Sequence, residues 1–211
     1  MTTQTPELAA RAAALSAPGR AMLGITGAPG AGKSTLAAEL AASVPGAVVV
    51  PMDGFHQPTS WLVPRGLVER RGAPETFDAD GYVALLAALR HGGAVSAPDF
   101  DRTREEPVAD AITVPADATV VITEGNYLLL DTDPWRRVRE LLDETWFVEV
   151  PEDVRVERLV ARFVSFGWDA TTARERVLTG SDAANAHLVA TSRDRADLVV
   201  RPPTGDADRA R

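Results

Sequence analysis

The stretch AMLGITGAPGAGKST at residues 21–35 decides the fold. An apolar run leads into a glycine-rich loop, and a helix-forming segment follows the loop. The loop contains the pattern G-x-x-x-x-G-K-S, with Gly27, Gly32, Lys33 and Ser34 at its fixed positions. Such a loop between a strand and a helix turns its backbone N–H groups toward phosphates, and the helix N-terminus adds positive charge. The stretch therefore predicts a P-loop nucleotide site.

This motif assigns roles to its residues. We expect Lys33 to reach the β and γ phosphates of ATP and the Ser34 hydroxyl to ligate Mg²⁺. ATP and Mg²⁺ are thus the predicted cofactors. The alternative is a glycine-rich turn with a solvated lysine, which the motif and its two flanking elements together disfavour. The predicted phosphate-binding residues are Gly27, Ala28, Pro29, Gly30, Ala31, Gly32, Lys33, Ser34 and Thr35.

Length and composition predict one domain over residues 1–211, with a disordered tail at about 202–211. The 22 basic and 30 acidic residues give a net charge of −8, the wrong sign for a protein that neutralises nucleic-acid phosphates. The chain has no cysteine, which excludes disulfides and cysteine-based zinc sites. No signal-peptide pattern or membrane-length apolar run is seen, so we expect a cytoplasmic protein without a membrane partner. Composition leaves a homodimer open.

Strand and helix patterns alternate along the chain. The strand patterns are continuous apolar runs such as TVVIT, as expected when helices cover both faces of a parallel sheet. We therefore predict a P-loop NTPase α/β fold, a three-layer α/β/α sandwich, with a hairpin excursion between 92 and 118. Strands are predicted at 21–26, 47–52, 119–123, 145–150 and 197–200, and helices near 6–16, 33–43, 79–90, 134–143, 152–165 and 170–190.

Two carboxylates follow predicted strands. Asp53 ends the run VVVPMD and Glu124 ends TVVITE, so both are expected at the sheet edge that holds the phosphates. Glu124 suits the Mg²⁺ side, and Asp53 suits the proton acceptor for an attacking hydroxyl, although either can be the main metal-side carboxylate. The alternatives are an acidic turn residue at Glu124 and an Asp-Gly turn at Asp53. Phe55 and His56 come next and are expected to line an acceptor pocket, unless His56 is a surface imidazole.

A family resemblance covers nearly the whole chain. The P-loop together with PMDGF, PETFD, PDFDR, EEPV and EGNYLLLD resembles the phosphoribulokinase, uridine kinase and bacterial pantothenate kinase superfamily. Within it, the last three segments are similar to small bacterial kinases named as nucleoside/nucleotide kinases or sugar-transport-associated kinases. The resemblance implies catalytic and metal-side carboxylates at Asp53 and Glu124, and a helical lid at about 152–170. It also implies that Asp78 binds acceptor hydroxyls, although Asp78 equally fits an N-cap of the following helix.

Further site residues follow from this resemblance. Phe100 lies where an aromatic residue stacks on the acceptor, and Arg102 and Arg104 fall where uridine kinases carry a histidine cluster. Tyr127 and Asn185 are added on the substrate side, and Arg193 on the nucleotide side. Because the histidine cluster is missing, pyrimidine recognition does not carry over.

The segment EDVRVERLVARFV places two arginines on one helix face. Arg158 and Arg162 are four residues apart, and the resemblance implies that such arginines close over the transferred phosphate. The alternative is a solvated face, because basic and acidic residues alternate along this helix.

These observations favour an ATP- and Mg²⁺-dependent kinase for a hydroxyl on a small polar metabolite. A ribonucleoside is placed ahead of a sugar or a pantothenate-like acid. The alternatives are a regulatory P-loop ATPase and a non-catalytic nucleotide sensor. The guanine-reading motif N-K-x-D is absent from the sequence, which disfavours a GTPase switch.

Overall fold

The computed structural model describes residues 5–15 and 20–203. Its strands are β1 (Ala21–Thr26), β2 (Ala47–Pro51), β3 (Val95–Asp101), β4 (Glu106–Val114), β5 (Val120–Glu124), β6 (Glu144–Val148) and β7 (Leu198–Val200). Its helices are α1 (Thr5–Ala14), α2 (Lys33–Ser43), α3 (Thr59–Leu62), α4 (Ala79–His91), α5 (Arg136–Glu140), α6 (Glu152–Ser165), α7 (Ala170–Thr179) and α8 (Ser181–Ala190).

Five parallel strands form the central sheet in the order β2-β5-β1-β6-β7. Successive side chains of β1 enter different cores, because strand residues alternate between the two faces. Met22 joins the core that includes α4, whereas Leu23 and Ile25 join the core formed with α1 and α2. Helices therefore cover both sheet faces, which confirms the predicted α/β sandwich.

The antiparallel pair β3-β4 is the predicted hairpin, and it packs against the turn that follows β2. A Cβ at Gly54 would lie 2.4 Å from the carbonyl oxygen of Pro98. Only a glycine permits this approach, which brings the hairpin beside Asp53.

Helices α6 and α7 share a small apolar cluster of Val156, Leu159 and Val177, and α8 packs on α7 while its Val189 joins the core that includes α4. The single helix predicted at 170–190 is wrong, because the chain breaks at Gly180, where a Cβ would lie 2.5 Å from the Arg176 carbonyl oxygen. The helix predicted at 134–143 is shorter, and the strand predicted at 145–150 lies at Glu144–Val148.

Two other predictions concern the C-terminal tail and membrane-spanning segments. Most of the predicted tail, residues 204–211, lies outside them. Within residues 5–15 and 20–203, no helix is long and apolar enough to cross a lipid bilayer.

Candidate active site

The carboxyl ends of β1, β2 and β5 open into one cavity of about 880 Å³. Ligands of open parallel sheets bind at this edge. The phosphate loop forms one wall, the turn after β2 and the hairpin form a second, and helices α6 to α8 form a third. Residues that are distant in the sequence thus meet around one space.

The phosphate loop adopts a backbone that requires glycine. Gly27 has φ 148°, and a Cβ there would lie 2.5 Å from the Val148 carbonyl oxygen of β6. Gly32 has φ 99° and is the N-cap of α2, so the helix N-terminus points at the loop. Both glycines have positive φ angles, and Gly27 also lies close against β6. Both positions therefore suit the predicted phosphate-binding loop.

Lys33 is buried under this loop. Its Nζ donates hydrogen bonds to the carbonyl oxygens of Gly27 (2.9 Å) and Ala28 (3.2 Å) and to Asn126 Oδ1 (2.7 Å). Burial lowers the pKa of Lys33, and the carboxylates of Glu124 and Asp53 oppose that shift. The ammonium therefore lies among oxygen acceptors at the loop, where phosphates are expected.

Ser34 and Glu124 supply two oxygen ligands suited to Mg²⁺. The Ser34 hydroxyl donates to Glu124 Oε1 at 2.8 Å, and Glu124 is 6% exposed. Burial raises the pKa of Glu124, and the positive charge of Lys33 opposes this shift. The described residues hold no group of three or more His, Cys, Asp or Glu able to bind a metal by itself. The Ser34 hydroxyl and the Glu124 carboxylate are oxygen ligands of the kind that Mg²⁺ uses together with substrate phosphates and water.

Asp53 lies in a 3₁₀ turn, Met52–Phe55, directly after β2 and lines the same cavity. Its Oδ2 accepts a hydrogen bond from Arg102 at 2.8 Å. Arg102 follows β3, so the hairpin supplies a cation to the predicted base. The predicted residues Lys33, Ser34 and Glu124 share this cavity with Asp53.

The acceptor end of the cavity carries two predicted aromatic residues. His56 and Phe100 have ring centroids 4.5 Å apart, and His56 also contacts Phe77 at 4.1 Å. The His56 Nδ1 lies 2.8 Å from the Asp53 carbonyl oxygen, which a protonated Nδ1 would donate to. Burial lowers the pKa of His56, which favours the neutral imidazole. His56 is a cavity residue and not a surface imidazole.

Other predicted substrate residues lie away from the cavity lining. Asp78 is a helix cap, which is the second of its two predicted roles. Its Oδ1 accepts a hydrogen bond from the Gly81 N–H at 3.0 Å as the N-cap of α4. Arg104 is exposed and pairs with Asp101 at 3.5 Å. Arg102 and Arg104 both lie in the turn between β3 and β4, and of the two only Arg102 lines the cavity.

Phe55 and Tyr127 are corrected to packing residues. Phe55 packs against Tyr82, with ring centroids 5.2 Å apart. Tyr127 is fully buried beside Trp135, and its hydroxyl donates to the Gly72 carbonyl oxygen. Tyr127 therefore fixes a backbone segment of the cavity wall and does not line the cavity.

Both predicted lid arginines line the cavity. Arg158 donates to the Ala31 carbonyl oxygen of the phosphate loop at 3.1 Å. Burial lowers the pKa of Arg162, and the nearby Arg102 adds to this effect. The contact with Ala31 excludes a freely solvated position for Arg158, whereas Arg162 lines the cavity and remains exposed.

The last two candidates lie on different sides of the phosphate loop. Asn185 lines the main cavity, and its Nδ2 donates to the Gly72 carbonyl oxygen at 3.1 Å. Arg193 pairs with Glu149 at 2.6 Å and lines a second cavity of about 370 Å³, which Ala28 also lines. The two residues therefore line different cavities.

Sequence reasoning missed several residues that line the main cavity: Arg71, Asn126, Arg176 and Asp182. Asn126 follows the carboxylate of the TEGN segment, so its position was a usable signal. Arg176 and Asp182 carried no signal, because only the break at Gly180 folds α8 back on α7.

Comparison with known proteins identifies the family of the chain. The model of the "Phosphoribulokinase / Uridine kinase family" matches residues 22–206. The chain belongs to this family. A crystal structure from Silicibacter sp. TM1040, described provisionally as a fructose transport system kinase, is 42% identical and has a TM-score of 0.85. The match covers 92% of this chain and 98% of that chain.

Two curated proteins are similar to this chain. The protein YggC of Escherichia coli is 35% identical over 178 residues, which cover 82% of this chain and 73% of YggC. The ATP-dependent kinase-like protein notR' of Aspergillus versicolor is 37% identical over 153 residues, which cover 67% of this chain and 88% of that protein. Family membership supports ATP-dependent phosphoryl transfer to a small metabolite.

Proposed function

We propose that the protein is a kinase that transfers the γ-phosphate of ATP to a hydroxyl of a small polar metabolite, with Asp53 as the base. The convergence of Asp53 with Lys33 and the Ser34–Glu124 pair in one cavity carries this proposal. Phosphoryl transfer needs positioning and charge neutralisation, with a carboxylate to accept the hydroxyl proton. This cavity contains each of these parts.

The phosphate end of the cavity binds and neutralises charge. Lys33, Arg158 and Arg162 lie where they can contact phosphate oxygens. Ser34 and Glu124 would hold Mg²⁺, which when bound neutralises charge on the phosphates. Arg162 would stabilise the charge that spreads over the transferred group in the transition state.

The acceptor end handles the proton. Asp53 accepts the proton of the acceptor hydroxyl while the oxygen–phosphorus bond forms and the bond to the β-phosphate oxygen breaks, so that ADP leaves. Arg102 holds Oδ2 of Asp53, which leaves Oδ1 to accept the hydroxyl proton. The rings of His56 and Phe100 lie against each other beside Asp53 and would form one wall of the acceptor pocket.

We further propose that helices α6 to α8 act with the sheet as one catalytic domain and close over the cavity. Arg158 and Arg162 on α6 and Asn185 on α8 already line its wall. Closure would limit hydrolysis of ATP by water. Asp78, one of the residues predicted to bind acceptor hydroxyls, caps α4.

The test is ADP release from Mg·ATP with and without a panel of nucleosides, sugars, polyols and hydroxy acids. A kinase is stimulated strongly by at least one compound, and the phosphorylated product appears in equal amount to ADP. Slow hydrolysis that no compound changes would contradict a kinase and favour a regulatory ATPase or a nucleotide sensor.

A further inference from the structure

Lys33 uses all the hydrogen-bond donors of its ammonium group within the protein. Its Nζ donates to the carbonyl oxygens of Gly27 and Ala28 and to Asn126 Oδ1, and the bond to Asn126 is the shortest, at 2.7 Å. An ammonium group has three N–H donors and no acceptor. A phosphate oxygen can therefore bond to Lys33 only when one of these three acceptors is released.

Asn126 is the acceptor that can be released most readily. The other two acceptors are backbone carbonyls of the phosphate loop, whose path is fixed where Gly27 lies against Val148 of β6. The Asn126 Oδ1 belongs to a side chain, which can turn away by rotation between its rotamers. Asn126 also lines the main cavity, so a released amide would face that space.

Neighbouring groups hold the Asn126 amide in the orientation that binds Lys33. The Tyr127 hydroxyl donates its proton to the Gly72 carbonyl oxygen, and the Asn126 side chain hydrogen-bonds to the same hydroxyl. The amide Nδ2 is therefore the donor to Tyr127, which leaves Oδ1 for Lys33. The main-chain oxygen of Asn126 accepts from Thr26 Oγ1 at 3.0 Å. These bonds build the contact between Asn126 and Lys33 into the fold.

We propose that Asn126 competes with the nucleotide phosphates for Lys33, and that this competition weakens nucleotide binding and speeds the release of ADP. A contact made in the free state and lost in the bound state shifts the equilibrium toward the free state. Lys33 reaches the β and γ phosphates in P-loop proteins, so ATP and ADP are both affected. This inference rests on nucleotide binding by the proposed kinase and is independent of the acceptor.

A purely structural role for Asn126 would give a different result. If the amide only supported the phosphate loop, its loss would lower the melting temperature and would weaken nucleotide binding or leave it unchanged. Competition also lowers the melting temperature, because the buried ammonium loses a partner. Nucleotide affinity then rises, since the phosphates supply the missing acceptor. The sign of the change in affinity therefore separates the two roles.

The experiment measures the affinity of the full chain for a non-hydrolysable ATP analogue and for ADP, each with Mg²⁺, by calorimetric titration. The variants are Asn126→Leu, which keeps a similar side-chain size, and Asn126→Ala, which leaves more space. Tyr127→Phe is the matched control, because it removes the neighbouring hydroxyl and keeps the bond between Asn126 and Lys33. AMP is the ligand control, because it has no β or γ phosphate.

Both Asn126 variants should bind the analogue and ADP roughly threefold to tenfold more tightly than the wild type, as expected for the loss of one competing hydrogen bond. The rate of ADP dissociation should fall by a similar factor. The affinity for AMP, and the affinity of Tyr127→Phe for the analogue, should stay near those of the wild type. In combination with Lys33→Met, the gain from Asn126→Leu should disappear.

Equal or weaker binding of the analogue by either folded Asn126 variant would overturn this inference while the kinase function stands. A gain that persists in combination with Lys33→Met would do the same, because the gain would then not come from Lys33. A wild type that binds neither the analogue nor ADP would overturn both.

Discussion

At the scale of single residues, buried charged side chains in the cavity lower the stability of the free protein and are suited to binding a ligand. Glu124 is a buried carboxylate bonded to Ser34, whereas Glu144 is a buried carboxylate that accepts from Trp146 Nε1 at 2.7 Å and pairs with Arg11. Glu124 is bonded to a hydroxyl that can also bind a metal, whereas the partners of Glu144, Trp146 and Arg11, have only a structural role. The two glutamates should therefore respond differently to neutralisation.

Glu124→Gln should raise the stability of the free protein at neutral pH. Burial raises the pKa of Glu124, so between its ordinary and its raised pKa the folded state holds more protons than the unfolded state. Stability is therefore greater below this window and falls as the pH rises through it. The measurement is urea unfolding at pH 7 and at pH 4; the gain from the variant should shrink at the lower pH.

The same variant should lose stabilisation by a non-hydrolysable ATP analogue with Mg²⁺. At a concentration one hundred times the Kd, the wild type gains about 2.7 kcal/mol. Glu144→Gln is the control, because it should cost roughly 1–3 kcal/mol of stability and keep the ligand effect. Full stabilisation of Glu124→Gln by the analogue would contradict its place in the metal site.

Asp78 and Asp182 show what sequence reasoning can reach at this scale. Both roles of Asp78 were visible in the sequence, and only the packing of α4 decides for the cap. Asp182 was invisible, because its approach to the cavity depends on how α7 and α8 pack. Lys33, Ser34 and Glu124 were predictable, because a motif or a strand end fixes each of them locally.

At the scale of elements, strands and the loops that follow them were predicted well, and helix ends less well. The apolar runs of β1 and β5 are bounded by polar or glycine residues, so their limits are visible in the sequence. The break between α7 and α8 depends on a contact of Gly180 with the Arg176 carbonyl, which periodicity does not encode. The order of the strands likewise depends on tertiary packing.

Gly27→Ala tests the connection between β1 and α2. Its φ of 148° and the 2.5 Å approach of a Cβ to the Val148 carbonyl oxygen should cost roughly 1–3 kcal/mol of stability. Distortion of the loop should also weaken binding of the ATP analogue. Urea unfolding and calorimetric titration measure the two effects.

Gly66→Ala is the matched control for this variant. Gly66 also has a positive φ, 65°, but a Cβ there meets no atom within 4 Å. It should cost about 1 kcal/mol and leave nucleotide affinity unchanged. Equal nucleotide affinity in Gly27→Ala and the wild type would show that the loop does not hold the phosphates as described.

At the scale of the whole molecule, the structure combines two large cores around the sheet with one small cluster in the helical layer. A layer with few buried apolar side chains opens at lower free energy than a sheet core. The helices that carry Arg158, Arg162 and Asp182 are therefore the part expected to move over the cavity.

Hydrogen–deuterium exchange tests this expectation. Amides of α6 to α8 should exchange faster than those of β1 and β5 in the free protein, because their core is smaller. The ATP analogue with Mg²⁺ should slow exchange in α6, where Arg158 contacts the phosphate loop. Equal exchange in the two regions, unchanged by the analogue, would contradict a closing layer.

The role of Asp53 as the base for transfer to a hydroxyl is the central claim. The most direct measurement is the rate of phosphoryl transfer by Asp53→Asn to the best acceptor of the panel, with ATP affinity measured on the same sample. We predict that the rate falls roughly 10²–10⁴-fold, as for loss of a general base, while ATP affinity stays near that of the wild type. A rate equal to that of the wild type would contradict the account.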